Sequence, residues 1–263
     1  MPRKKKETQP QPSSHADITI VLDKSGSMET MKQSVVDGIN EHIGEMRKRP
    51  GENFWSMVEF DYPAGHNQSC PEVLFERRPE KSVPFLALAP SAFGNTTPPP
   101  PTSSGEHVYY TPRGNTALVD ALCETIDRTR ARLSGQDNVK KLMMIVTDGQ
   151  ENASRKFSSE DLRQRIKSAT EAGFEFVYLG ANQDSFAEAG KYGITRNASY
   201  TYPGQQVFGD TAFANNFVPT AAGMRQAIAS GFVGIQHMAS GACYVSMTAT
   251  VNARGAYDSH HPV

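Results

Sequence analysis

The chain has little of what usually announces a function. Its 263 residues include three cysteines and one tryptophan. Cys70, Cys123 and Cys243 lie far apart and form no CxxC pair, which argues against a disulfide framework and a sulfur-bound zinc. No stretch approaches the roughly 18 apolar residues needed to span a bilayer, and the first residues lack the apolar segment of a secretory signal. A cytoplasmic location is the expectation, and the N-x-S/T triplets at Asn67, Asn95, Asn152 and Asn197 read as chance matches. A phosphate-cradling glycine loop, a nucleophile elbow and a paired-histidine zinc helix are all missing. His260 and His261, near the C-terminus, read as solvated. A net charge of −1 offers no global attraction to nucleic acid or to a membrane.

The apolar fraction, 38%, is low for a compact protein and predicts tails or loops around a core. Residues 1–16 read as a disordered tail with a basic tip, Arg3-Lys4-Lys5-Lys6. Contact with nucleic acid or an anionic surface through that tip is the alternative reading. Residues 84–107 turn irregular and include four consecutive prolines, Pro98 to Pro101, which remove backbone donors and favour polyproline II. They are expected to form an exposed insertion. Residues 200–263 read as a C-terminal extension of unassigned role, with one helical stretch from Thr220 to Ala229 and no clean period after it.

Between these lies one domain, residues 17–199. Ile18-Thr19-Ile20-Val21-Leu22 is a β-branched apolar run that reads as a buried parallel strand and stops at Asp23. Met28, Met31, Val35, Ile39, Ile43 and Met46 recur at helical spacing before Pro50-Gly51. Residues 53–60 read as a second strand, with Val73-Leu74-Phe75-Glu76 as its partner. Gly114 and Asn115 permit a tight turn, Thr116 is placed to cap a helix, and Leu118, Leu122, Ile126 and Leu133 give that helix its face. Lys141 to Asp148 repeats the opening design, an apolar run ending at an aspartate. Ser158 to Asp161 opens a helix that stops at Gly173, Phe174 to Leu179 is a strand, and a short helix runs through Phe186 to Gly190. Strand and helix alternate, which predicts an α/β, Rossmann-like, doubly wound domain whose mostly parallel central sheet is flanked by helices.

In such a sheet, the carboxyl ends of the strands share one edge, and ligands bind there. Asp23, Ser25 and Ser27, then Thr116, then Asp148 all fall at that edge. Five oxygen donors without sulfur or imidazole select Mg²⁺, with Mn²⁺ as the alternative. Two carboxylates roughly neutralise a divalent ion, and neutral hydroxyls leave it electrophilic towards an incoming anion. A helix starting near Met28 adds positive potential there. The expected ligand is a carboxylate from a partner. Gly26 is expected to supply a positive φ to the turn.

Asp23-x-Ser25-x-Ser27, Thr116 in its Gly-x-Thr-Ala-Leu context, and Asp148-Gly149 after an apolar strand resemble the metal-ion-dependent adhesion site of von Willebrand factor type A (vWA) domains. The resemblance spans about residues 17 to 195, and the stretch Val177 to Asp184 is similar to the bacterial and phage branch of that family. It implies that Ser25 and Ser27 bind the metal directly, Thr116 directly or through water, and Asp23 and Asp148 largely through water. It also implies a non-enzymatic, protein-binding role in which an aspartate or glutamate of a partner takes the open position on the metal; no membrane partner is expected from the charge and composition. The insertion at 84–107 and the last 60 or so residues depart from the family pattern.

Two other readings compete with it. An aspartate at a strand end, with a second aspartate far along the chain, is also how metal-dependent phosphohydrolases of the haloacid dehalogenase type begin. They place an acid two residues after the nucleophile, where this chain has Ser25. The other reading is a vestigial site whose metal, if any, is structural.

Overall fold

A computed structural model describes residues 15–48, 53–62, 71–89, 107–148, 151–181, 185–194, 199–202, 204–208 and 215–219. The basic tip, the proline run, Cys70, Cys243, the 220–229 stretch and His260-His261 lie outside them.

The first strand, β1 (Ala16–Asp23), is buried along its whole length. Successive side chains point to opposite faces, and here one parity is wholly apolar (Ala16, Ile18, Ile20, Leu22) while the other buries Asp17, Thr19 and Asp23 around Val21. Ile18, Ile20 and Leu22 enter one cluster, and Val21 enters the other. β1 pairs in parallel with β2 (Phe54–Phe60) on one side, Val21 opposite Val58. On its other side it pairs in parallel with β6 (Lys140–Thr147), Leu22 opposite Val146. β3 (Glu72–Pro79) closes one end of the sheet antiparallel to β2, with an irregular register around Met57 and a left-handed Arg77 (φ 48°). β7 (Phe174–Ala181) and β8 (Ser199–Tyr202) extend the other end in parallel. The six-stranded order is β3-β2-β1-β6-β7-β8.

Helix α1 (Lys32–Arg47) covers one face through Val35, Ile39 and Ile43. α2 (Leu118–Arg132) and α3 (Ser159–Glu171) cover the other through Leu118, Leu122, Ile126, Leu162 and Ile166, joined by Ala189 of the short α4 (Ser185–Lys191). The chain thus has the expected α/β, Rossmann-like fold. α3 starts with a capping box: Ser158 Oγ accepts from the Asp161 amide (3.1 Å), and Asp161 accepts from the Ser158 amide (2.9 Å). No helix among the described residues is long and apolar enough to cross a membrane.

Two details differ from the expectation. The helix after β1 begins four residues later than Met28, because Gly26–Met31 form a 3₁₀ turn ahead of α1. The ends of the irregular segment are also ordered. β4 (Phe85–Leu88) and β5 (His107–Tyr110) pair in parallel as a separate small sheet. Leu86 and Tyr110 join the α1-side core, burial that runs of four residues are too short to announce by periodicity. Asn40 of α1 fastens that sheet: its amide donates to the Leu86 carbonyl and accepts from the Leu86 N–H, both at 2.8 Å. Further on, β9 (Gly204–Phe208) and β10 (Asn215–Pro219) pair antiparallel.

Asn40→Ala would strand a donor and an acceptor on Leu86, which is fully buried. The expected loss is about 1–3 kcal/mol in denaturant unfolding. An unchanged midpoint would show that the small sheet does not depend on this amide.

Candidate metal centre

The centre is built where β1 and β6 end side by side. The Leu22–Val146 register sets Asp23 beside Thr147, and Asp148 follows at once. Asp23 is fully buried, and both its oxygens are occupied. Oδ1 accepts from the Ser25 amide (2.7 Å) and Oδ2 from the Thr147 hydroxyl (2.6 Å). The first bond folds the backbone back after the strand, so the two serines face the same carboxylate edge. Ser27 Oγ donates to Asp148 Oδ1 at 2.7 Å and lies 3.0 Å from Ser25 Oγ. Because the single Ser27 proton is committed to Asp148, Ser25 is the donor of that second contact. Ser25 is buried, Asp148 is half-buried, and Ser27 is exposed, so Ser27 marks the open side.

Burial pushes the Asp23 carboxyl up to about 7 and the Asp148 carboxyl up to about 6. For Asp23 the bonds from Thr147 and Ser25 pull the other way, and the neighbouring Asp148 charge adds to the rise. Two acidic groups that resist charging, with hydroxyls between them, form a site that a cation would complete.

Thr116 sits on the loop that leads into α2, and backbone bonds hold that loop to the serine turn. The Arg113 amide donates to the Lys24 carbonyl (2.6 Å), and the Gly26 amide donates to the Gly114 carbonyl (2.9 Å). Tyr62 and Asn115 exchange backbone bonds at 2.8 and 3.0 Å. Thr116 is buried; its amide donates to Asn152 Oδ1 (3.0 Å), and its carbonyl accepts from the amides of Asn152 and Ala153 (3.1 Å each). The structure therefore brings Asp23, Ser25, Ser27 and Asp148 into one hydrogen-bonded chain and places Thr116 on the adjoining loop.

Two expectations about this rim need correcting. Thr116 does not cap α2, since the residue in the capping position is Ala117, whose side chain bonds nothing. Gly26 does not supply a positive φ; that role falls to Gly114 (φ 66°). A Cβ on Gly26 would lie 3.3 Å from the Gly114 carbonyl oxygen, so close approach of two backbones is what the position requires.

Sequence reasoning missed three supports. Thr147 immobilises Asp23 Oδ2, and its place next to Asp148 was the available signal. The buried Tyr110 hydroxyl donates to the Asp23 carbonyl at 2.7 Å, from a strand with no sequence signal of its own. Lys24 is buried between Glu59 (3.3 Å) and Glu72 (2.7 Å). Glu59 is a carboxylate in an apolar strand, a signal in itself; burial raises it to about 7 against the pull of Lys24.

Among the described residues there is no group of three or more His, Cys, Asp and Glu side chains arranged to hold a metal. The donor set at this rim is two carboxylates with hydroxyls, all oxygen, which suits a hard divalent cation.

No protein-family model and no curated protein matches the chain. Solved structures do. The pilus adhesin SpaC of Lactobacillus rhamnosus GG, in its open conformation, aligns at a TM-score of 0.53 and 13% identity over 86% of this chain and 30% of that one. Proximal thread matrix protein 1 of the mussel byssus aligns at 0.49 and 13% identity over 84% of this chain and 48% of that one. The VWA domain of SpRpn10 aligns at 0.41 and 11% identity over 71% and 86%. The chain thus spans less than half the length of the adhesin and of the byssus protein. What it shares with SpaC is the fold.

Asp23 yields a prediction for the protein in chelator. Its folded value lies above the ordinary carboxylate value of 3.8, so the folded state keeps this proton longer than the unfolded chain does. The resulting stability is fully present below about pH 4 and is lost as pH rises through about 7. Melting temperatures of wild type should fall relative to Asp23→Asn across that window, and a constant difference between the two would contradict it.

Proposed function

We propose that this chain is a vWA domain of the bacterial and phage type, working in the cytoplasm as a Mg²⁺-dependent protein-binding module without enzymatic activity. Asp23, Ser25, Ser27, Thr116 and Asp148 would hold the ion, with Mn²⁺ as a substitute, and the partner would present an aspartate or glutamate. The observation that carries this reading is the continuous run of oxygens Ser25–Ser27–Asp148, at 3.0 and 2.7 Å, beside a carboxylate buried at the end of β1.

The bound cation supplies an electrophilic position for one external carboxylate oxygen. The rest is the work of the chain. Asp23 holds the serine turn by its Ser25 bond and is itself held by Thr147. Ser27, exposed on the open side, stands where a partner would arrive. Ser27 and Asp148, hydrogen-bonded to each other at 2.7 Å, are two of the groups that would hold the ion, Ser27 through its neutral hydroxyl and Asp148 through its charge. The phosphohydrolase reading is not favoured: where it needs an acid, the chain has Ser25, whose hydroxyl is engaged with Ser27.

Calorimetric titration with Mg²⁺ tests the ligand set. Ser25→Ala/Ser27→Ala should lose measurable Mg²⁺ binding while keeping the far-ultraviolet spectrum and cooperative melting of wild type, because both serines lie in a turn outside the sheet. Wild-type affinity in the double variant would overturn the assignment. Affinity capture from source-cell lysate, using both proteins in Mg²⁺ and in chelator, tests the mechanism. A partner retained only by wild type in Mg²⁺ is the expected result, and retention under all four conditions would place recognition elsewhere.

A further inference from the structure

The segment after Asp148 and the start of α2 cap each other. Val119, near the N-terminus of α2, donates its amide to Glu151 Oε2 (2.8 Å), and the Asp120 amide donates to Ser154 Oγ (3.0 Å). In return, the buried Asp120 carboxylate accepts from the amides of Arg155 (2.9 Å), Lys156 (3.0 and 3.2 Å) and Phe157 (2.9 Å). Glu151 also ties up its own turn, accepting from the amides of Ala153 (2.9 Å) and Ser154 (2.7 Å) and from the Ser154 hydroxyl (2.7 Å).

A helix end must satisfy its first amides, and the ordinary solution is a side chain just ahead of it. Here Ala117 offers none, and the groups come from more than 30 residues downstream. A local cap would satisfy the amides equally well, but only a distant one fixes two segments relative to each other. Thr116 lies two residues before α2, and Asp148 lies three residues before Glu151. We infer that Glu151 and Asp120 are positioning residues: they buckle the Thr116 loop to the Asp148 loop and hold those two ligands at the spacing a small cation needs. The serine turn is held by Tyr110 and, through Gly114, by the Thr116 loop itself. The inference rests on the metal-site reading proposed above and adds residues that touch no metal.

Ligand oxygens must be held to within about 0.5 Å for a site to bind well, and loss of a supporting group outside the ligand shell typically costs 10–100-fold in metal affinity. The test compares wild type, Glu151→Ala, Glu151→Gln and Asp120→Asn with two controls, Ser25→Ala/Ser27→Ala and Ser158→Ala. The last removes the α3 cap, whose hydroxyl bonds Asp161 and takes no part in the buckle, and reports general destabilisation. Amide hydrogen exchange in chelator and Mg²⁺ affinity by calorimetry are the two readouts.

Glu151→Ala should speed exchange at Val119 and weaken Mg²⁺ binding by about 10–100-fold. Asp120→Asn should speed exchange at Arg155, Lys156 and Phe157. Glu151→Gln should fall between wild type and Glu151→Ala, and Ser158→Ala should bind Mg²⁺ as wild type does. Wild-type affinity in Glu151→Ala, or an equal loss in Ser158→Ala at a matched fall in melting temperature, would overturn the inference. Should Glu151→Ala fail to fold, Glu151→Gln and Asp120→Asn decide by the same criteria. If wild type and the double serine variant take up Mg²⁺ alike, the metal reading falls, and the positioning role falls with it. Failure of the buckle alone leaves those two proteins distinct.

Discussion

The site depends on the parallel pairing of β1 with β6. That ladder sets the end of one buried strand beside the end of another, so Asp23 meets Thr147 across the sheet although 124 residues separate them. A carboxylate at such a place has lost its water, and only short bonds to it can make up the loss. Asp23 takes one from a backbone amide and one from a hydroxyl, and those bonds fix the geometry of everything that follows the strand. A slip of one residue in the ladder would reverse the faces of β1 and move the aspartate away from its partners.

Three loops converge on that edge, and backbone rather than side chains does most of the joining. Lys24, Gly26, Tyr62, Arg113, Gly114 and Asn115 exchange main-chain bonds that need no particular side chain beyond room for close approach at Gly26. Most of the five candidate ligands face inward: Asp23, Ser25 and Thr116 are buried, and Ser27 alone is exposed.

Much of this was legible in the sequence because the two central strands are long, β6 being apolar on both faces and β1 on one, with Val21 on its other. Ile18 to Asp23 and Leu142 to Asp148 each showed a buried run ending in a carboxylate, and the order of strands and helices between them fixed which edge those ends share. The α3 start was legible because a capping box is local, with Ser158 and Asp161 only three residues apart. The illegible parts depend on contacts at long range. β4 and β5 are four residues each, too short for a period, and Tyr110 reaches Asp23 from 87 positions away. Gly26 was misread for a related reason: its neighbour in space, Gly114, is distant in the chain, so a steric demand was taken for a torsional one. Thr116 looked like a cap because it precedes a helix, but its own amide and carbonyl are bound to Asn152 and Ala153.

Asn40 bears on how copies of this chain meet one another. A short strand with an open side is a template for another strand, and the hazard is greatest where the flanking residues are apolar, as around Phe85 to Leu88. Within a parallel pair, a residue's N–H and C=O point to the same side, so the Leu86 groups bound by Asn40 lie on the side of β4 turned away from β5. The carboxamide has the same donor and acceptor as a peptide unit and fills the place a neighbouring strand would take. On that flank of the small sheet Pro84 offers no N–H, Asn40 occupies both groups of Leu86, and Arg47 of the same helix takes the Val83 carbonyl, so a neighbouring strand would find the pairing groups already used.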